Sequence, residues 1–229
     1  MQPEGLSEGK LRVARNSGGT FYLRHLKRVM DFVVALAGLI VTFPLLLLCA
    51  VAIRLDSHGP VLFRQKRVGQ YGKEFAILKL RTMVHGAEAK GPKLTAAHDP
   101  RITRVGKWLR RTKIDEIPQL LNVLKGEMSV VGPRPELPEY VLTYTEEQKR
   151  AFKLKPGITG PASLAFIDEE QLLAASGDAE AFYIGTVLRR KLELDLAYCE
   201  RVSFLGDVRL ILLTLRTLTD VRRRRKADL

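Results

Sequence analysis

FVVALAGLIVTFPLLLLCAVAI, from Phe32 to Ile53, is a run of 22 residues without a charge. It is long enough to enter a hydrocarbon layer of roughly 30 Å, and a soluble core helix is rarely apolar on every face. A cleaved leader does not fit. About thirty residues precede the run, and Leu48 before Cys49 is not the small residue that processing requires.

The flanks decide how such a run sits. In the twenty residues before it stand Arg12, Arg15, Arg24, Lys27 and Arg28; in the twenty after it stand Arg54, Arg64, Lys66, Arg67 and Lys73. A simple span keeps its basic flank on the cytoplasmic side, so five against five places both ends there. Pro44, near the middle, removes a backbone donor and clashes with the preceding turn, which favours a helix-break-helix. The freed carbonyls between Gly38 and Thr42 then need a partner, and the Thr42 hydroxyl can supply one. The expected element is a re-entrant hairpin over residues 25–56. A straight spanning helix with a tolerated Pro kink is the alternative.

Outside the run, a 229-residue chain with 46% hydrophobic and 28% charged content suits one globular domain plus an appendage. It suits neither a disordered tail nor a polytopic transporter. The balance of 38 basic against 25 acidic residues leaves +13, so the expected partners are polyanions: nucleic acid, an anionic membrane surface or phosphorylated substrates. Cys49 and Cys199 make no disulfide framework or metal site.

The expected fold class is α+β and mostly helical, with a re-entrant membrane helix-break-helix, a small β-hairpin and interfacial amphipathic helices. Val61 to Gln65 and Phe75 to Arg81 read as two strands joined through a Gly-containing turn. Val84 to Asp99 reads as an exposed loop. Ile102 to Leu109 and Ile114 to Leu124 have helical spacing. Thr145-Glu-Glu-Gln148 has capping-box spacing and starts a helix toward Leu154, and another helix runs from about Ala179 to Cys199. In the tail, Phe204, Val208, Ile211, Leu215 and Leu218 share one helical face, and Arg222 to Lys226 read RRRRK. That pattern suits either a helix in the headgroup layer of an anionic leaflet or one packed on the domain. The domains expected are a tail at 1–24, the hairpin at 25–56, a cytoplasmic catalytic unit at 57–200 and an interfacial helix with a polybasic end at 201–229.

Three segments carry potential chemistry: KIDEIPQL from Lys113, GPRPE from Gly132, and KPGITG from Lys155. Thr112 and Asp115 have capping spacing, which would put the Asp115-Glu116 pair in a first helical turn, where the dipole keeps a carboxylate ionised. Such a carboxylate can bind a metal or act as a nucleophile. The bland alternative is favourable helix electrostatics. Arg104, Lys107, Arg110, Arg111 and Lys113 precede the pair, and Arg134 lies between two prolines. Guanidinium groups beside a carboxylate and a hard cation are what phosphoryl transfer needs, although the same arginines could grip lipid headgroups. No P-loop, dinucleotide motif, zinc spacing or Ser-His-Asp set competes.

The chain resembles the monotopic phosphoglycosyl transferases, also called bacterial sugar transferases, from about Lys27 to Leu218. The resemblance is carried by KRVMDF, GPVLFRQKRVG, LKLRTM, KIDEIPQLLNVLKGEMSVVGPRPE and KPGITG. It implies an enzyme of the bacterial cytoplasmic (inner) membrane, monotopic, its active site facing the cytoplasm. Such an enzyme moves sugar-1-phosphate from a UDP-sugar to undecaprenyl phosphate and releases UMP. In the family the Asp of the dyad forms a covalent sugar-phosphoryl intermediate, a role that falls on Asp115, which would also bind Mg2+. Glu116 takes a supporting role in orienting or activating the acceptor. Arg134, Arg110 and Arg81 become the expected phosphate contacts, and Pro44 the membrane break. Two positions depart from the family: Phe43 replaces a common Ser before the membrane Pro, and Pro161-Ala-Ser-Leu-Ala replaces Trp-Ala-Gln-Val after PGITG. The long N-terminal membrane domain of some relatives is not expected, and a homodimer is left open. Members feed capsule, exopolysaccharide, O-antigen and glycoprotein assembly, and the sequence does not separate these.

Two other readings compete. A membrane-tethered polyanion binder explains the charge but not the dyad, and 7% aromatic content without aromatic-basic interleaving gives bases little to stack on, so no nucleic-acid partner is expected. A non-catalytic scaffold explains the anchor, but not why Asp115, Glu116 and Arg134 are all kept.

Overall fold

The apolar run forms the longest helix of the fold, α1, Lys27–Asp56. The computed structural model describes residues 21–92, 94, 95, 97 and 99–227. Most of the expected N-terminal tail and the side chains of the RRRRK end lie outside the described residues. Pro44 sits inside α1, which is assigned as one element, so the two separate helices expected around a break are replaced by a single one. Thr42 does turn its hydroxyl to a carbonyl, that of Gly38 at 2.6 Å. This is the ordinary bond one turn back, whereas the carbonyl that loses its donor to Pro44 is that of Ile40.

One face of α1 is buried at Ala35, Cys49 and Ile53, while Ile40, Val41, Phe43 and Leu48 are more than half exposed. Both ends of the helix are tied to the same body. At the start, Lys27 Nζ donates to Val131 O (2.9 Å), and Asp31 Oδ1 accepts from Val130 N and Ser129 Oγ (both 2.9 Å). At the end, Asp56 Oδ2 accepts from Val105 N at 2.9 Å, and Arg81 donates to Ser57 O at 2.7 Å and His58 O at 2.8 Å.

The hairpin is as expected: β1, Leu62–Val68, pairs antiparallel with β2, Glu74–Leu80, with Leu62 opposite Leu80. Helix α2, Arg104–Thr112, starts where Thr103 Oγ1 accepts from Gly106 N at 3.0 Å. The helix expected from Ile114 to Leu124 is shorter. Residues Ile114–Glu116 form a 3-10 turn, and α3 is Gln119–Lys125, because Pro118 can open a helix but cannot donate within one. The fully buried Asn122 stitches α3 to β2, accepting from Leu78 N (3.0 Å) and donating to Ala76 O (2.8 Å).

GPRPE and KPGITG, which read as separate signals, belong to one ladder. β3, Ser129–Val131, and β4, Gly157–Thr159, run parallel, with Ser129 opposite Gly157. A Cβ on Gly132 would lie 2.4 Å from Lys155 O, and one on Gly157 only 2.1 Å from Gly132 N. Glycine at both positions is therefore a condition of the two segments meeting.

The capping box forms as read: Thr145 N donates to Gln148 Oε1 at 2.8 Å and Gln148 N to Thr145 Oγ1 at 3.3 Å, though the helix that follows, Gln148–Lys153, is 3-10. Short helices α4, Pro161–Ala165, and α5, Glu169–Ala174, lead to the helical stretch that ends in α6, Arg189–Glu200. The tail forms α7, Phe204–Ala227. Its Asp207 is completely buried, with Oδ2 accepting from Lys27 Nζ (2.5 Å) and Tyr22 OH (2.7 Å) and Oδ1 from Tyr198 OH (2.8 Å). Leu210 and Ile211 pack into the main core, while Leu205, Leu212 and Leu215 are exposed. The tail thus packs on the domain along one side and leaves an apolar strip on the other.

Candidate active site

Helix α2 stops at Thr112, whose hydroxyl turns back to Trp108 O (2.9 Å) and Leu109 O (3.0 Å), so Thr112 caps the helix that ends rather than the turn that follows. Lys113 takes the left-handed conformation, φ 56°, which reverses the chain into the 114–116 turn. A lysine held there costs on the order of 1 kcal/mol, a strain that folds keep where a side chain must be aimed. Ile114 is anchored in a cluster with Cys49, Ile53, Leu80 and Leu109. The next residue, Asp115, therefore sits one peptide unit from a side chain packed against the long apolar helix.

Asp115 is 7% exposed, and its Oδ1 is buried without a hydrogen-bond partner among the described residues. Burial, and then the negative charge of Glu116, push its carboxyl well above the usual carboxylate range, against the pull of Lys79, Lys113 and Arg110. Glu116 behaves oppositely. Burial works to raise it, but the charges of Lys79, Arg134 and Lys113 and the hydrogen bond from Lys79 hold it well below its ordinary value. Its Oε1 accepts from Lys79 Nζ at 2.8 Å and lies 3.9 Å from Arg134 Nη2. The dyad thus divides into one carboxylate that is electrostatically committed and one that is not.

Arg134 is fixed from several directions. Its backbone N–H donates to Asp195 Oδ2 at 3.0 Å, prolines flank it, and Glu136 two residues on is locked. Glu136 accepts from Arg67 Nη1 (3.1 Å), from Leu137 N (2.9 Å) and from the Tyr183 hydroxyl. Arg110 donates from Nε to Thr82 Oγ1 (2.9 Å) and from Nη1 to Glu170 Oε1 (2.8 Å). Asp115, Glu116, Arg110 and Arg134 all line one cavity of about 1080 Å³, with Lys79, Lys113 and Lys191 beside them.

Arg81 also borders this cavity, but its expected role is revised. Its terminal nitrogens go to Ile53 O, Ser57 O, Ser57 Oγ and His58 O, so its charge closes the C-terminal end of α1, where helix carbonyls lack donors. Sequence reading missed Lys79, although a lone cation between Leu78 and Leu80 in a strand was a local signal. It also missed Lys191, whose Nζ is 2.5 Å from Glu169 Oε2, and Asp195. These lie on elements far along the chain, and no local pattern announces them.

The arrangement offers a buried carboxylate in the wall of a cavity rich in cations, which suits polyphosphate chemistry. Among the described residues no three His, Cys, Asp or Glu side chains come together as a metal cage. A hard cation here would draw most of its oxygens from a bound diphosphate, the usual habit of Mg2+.

Comparison with known proteins gives a consistent picture. The model of a family described as bacterial sugar transferase matches residues 22–220. The chain is similar to the uncharacterized sugar transferase EpsL of Bacillus subtilis, 39% identical over 83% of this chain and 86% of that protein. It is 42% identical to a UDP-glucose:undecaprenyl-phosphate glucose-1-phosphate transferase of Caulobacter vibrioides, over 84% of this chain and 69% of the other. A UDP-N-acetylgalactosamine-undecaprenyl-phosphate N-acetylgalactosaminephosphotransferase of Aeromonas hydrophila is 37% identical over 84% of this chain, which spans 43% of that longer protein.

Proposed function

The chain belongs to the bacterial sugar transferase family, and from that premise we propose that it moves sugar-1-phosphate from a UDP-sugar to undecaprenyl phosphate through a covalent intermediate on Asp115. The observation that carries this reading is the Asp115 carboxylate: buried, with one oxygen unpartnered, facing a cation-lined cavity large enough for a nucleotide-sugar.

In the first step an Asp115 oxygen attacks the sugar-proximal phosphorus, and the bond from that phosphorus to the bridging oxygen breaks. UMP leaves with the bond's electron pair. In the second, an oxygen of undecaprenyl phosphate attacks the same phosphorus and the Asp115 carboxylate departs, giving the lipid diphosphate sugar. No net proton transfer is required. Arg134 and Arg110 neutralise phosphate oxygens that gain charge in both steps. Glu116 acts as a positioning residue, because Lys79, Arg134 and Lys113 hold its carboxylate ionised and make it a weak base. Mg2+, when bound by Asp115 and the diphosphate, would supply further charge neutralisation.

Two contacts of α1 support a re-entrant placement, in which any bend at Pro44 is taken within one continuous helix. Asp31 and Asp56 are about 37 Å apart along a straight helix axis, yet both bond to one body. A helix crossing a layer of about 30 Å would carry one end away from those partners. A re-entrant course on the cytoplasmic face keeps both and leaves the exposed Ile40, Val41, Phe43 and Leu48 for the acyl chains. On this reading Asp115 lies near the layer of lipid phosphates. Two relatives that use different sugars have similar identity to this chain, so the sugar is not assigned.

The test is UMP release by the detergent-solubilised protein with Mg2+ and undecaprenyl phosphate across a panel of UDP-sugars, beside Asp115→Asn. Release that needs Asp115, with a sugar-phosphate adduct trapped on that residue, is expected. Full activity in Asp115→Asn would overturn the mechanism.

A further inference from the structure

The cavity that holds Asp115 is not basic throughout. Away from the arginines its wall is made by Ile117 and Leu120 beside the dyad, Ile158 and Thr159 of β4, and Thr214 and Leu218 of α7. The two threonines offer this wall no free hydrogen-bond donor. Their hydroxyls bond each other at 2.6 Å, and Thr214 Oγ1 donates back to Leu210 O at 2.7 Å, so both hydroxyl protons are used within the fold. Leu120 connects the wall to the membrane helix: a Cβ on Gly38 of α1 would be 3.0 Å from Leu120 Cδ1, so the leucine rests against the α1 backbone. On the other side, α7 continues into its exposed apolar strip at Leu212 and Leu215.

A uridine or a sugar asks for hydrogen-bond donors, and the side chains of this wall have none free to give. An isoprenoid chain asks only for apolar contact. We propose that the C-terminal helix is a wall of the acceptor site, with Thr214 and Leu218, together with Leu120 and Ile158, holding the first isoprene units of the polyprenyl phosphate while its phosphate meets Arg134 and Asp115. The proposal rests on the transferase reading above and adds the residues that select a long-chain acceptor. It gives α7 a role in the second half-reaction only, since the nucleotide leaves before the lipid is needed.

The experiment separates the halves. Exchange of labelled UMP into the UDP-sugar reports the donor step without lipid, and the KM for undecaprenyl phosphate reports the acceptor. Leu218→Gln should raise that KM by about tenfold, the worth of one side chain's apolar contact, with UMP exchange retained. Leu218→Ala, which keeps the site apolar, should raise it less. Leu218→Gln should also narrow the preference for undecaprenyl phosphate over isopentenyl phosphate, which has only one isoprene unit. Unchanged KM in both variants, or UMP exchange falling in parallel with transfer, would overturn the wall. Absence of UMP exchange in the unmodified protein would instead remove the covalent mechanism, and the inference with it.

Discussion

Glu116→Gln tests how the dyad divides its work. The carboxylate accepts a charge-assisted bond from Lys79 at 2.8 Å and stands 3.9 Å from Arg134, with both partners of the shorter pair mostly buried. A hydrogen bond to a charged partner contributes about 1.5–3 kcal/mol, which corresponds to roughly a 10- to 150-fold loss when positioning fails. If Glu116 holds cations for both phosphoryl steps, UMP exchange and lipid-dependent transfer should fall by the same factor. Lys79→Met should show the same pattern, and the double variant should be little worse than either single, because both remove one interaction. The assay is a double-mutant cycle run on the two half-reactions. A base that activated the acceptor would leave UMP exchange intact and slow transfer alone, and that result would refute the positioning role. Strict additivity of the two variants would also refute it.

Three further outcomes follow from the same geometry. Asp115 must be ionised to attack, and burial followed by the Glu116 charge raises its carboxyl to about 6. Donor-step rate should therefore climb as pH rises through that value and level off above it, and a rate flat across that window would contradict the assignment. Asp207→Asn removes the charge facing the buried Lys27, a change that costs about 3–5 kcal/mol in such pairs. Thermal unfolding in detergent should show that loss, with Lys27→Met plus Asp207→Leu recovering most of it. Gly157→Ala drives a Cβ to 2.1 Å from Gly132 N, so it should displace the GPRPE segment, reducing folded yield or UMP exchange far more than Gly177→Ala, which meets nothing within 4 Å.

The legible parts of the sequence are those fixed by local rules. The apolar run, the hairpin, the Thr145 capping box and the Asp115-Glu116 pair all depend on residues a few places apart, and the structure has each of them. What could not be read is where local rules compete. Thr112 had capping spacing, but a left-handed Lys113 intervenes and turns the hydroxyl backward. Arg81 belonged to a motif full of phosphate-site candidates, yet its guanidinium is engaged by carbonyls at and just beyond the end of α1. Lys191, Glu169 and Asp195 come near Arg134 only in the folded chain, from positions 35 to 61 residues further on, and spacing carries no trace of that return.

The raised Asp115 carboxyl bears on both halves of the proposed reaction, in opposite senses. A more basic carboxylate attacks phosphorus more readily but leaves it less readily, so raising its pKa helps the first step and hinders the second. Burial and Glu116 push in the first direction, and Lys79, Lys113 and Arg110 push in the second. A site that must form and break the same bond in each cycle needs these to stay near balance, which explains why a repelling carboxylate is kept next to the nucleophile and then tied down by Lys79. Removing Lys113, which unlike Lys79 makes no hydrogen bond that positions Glu116, should therefore slow the release of Asp115 to the lipid more than its attack. In Lys113→Met the covalent adduct should accumulate during turnover, measured as the fraction of enzyme carrying sugar-phosphate, whereas a lower adduct fraction than in the unmodified protein would show that the cation serves the donor step instead.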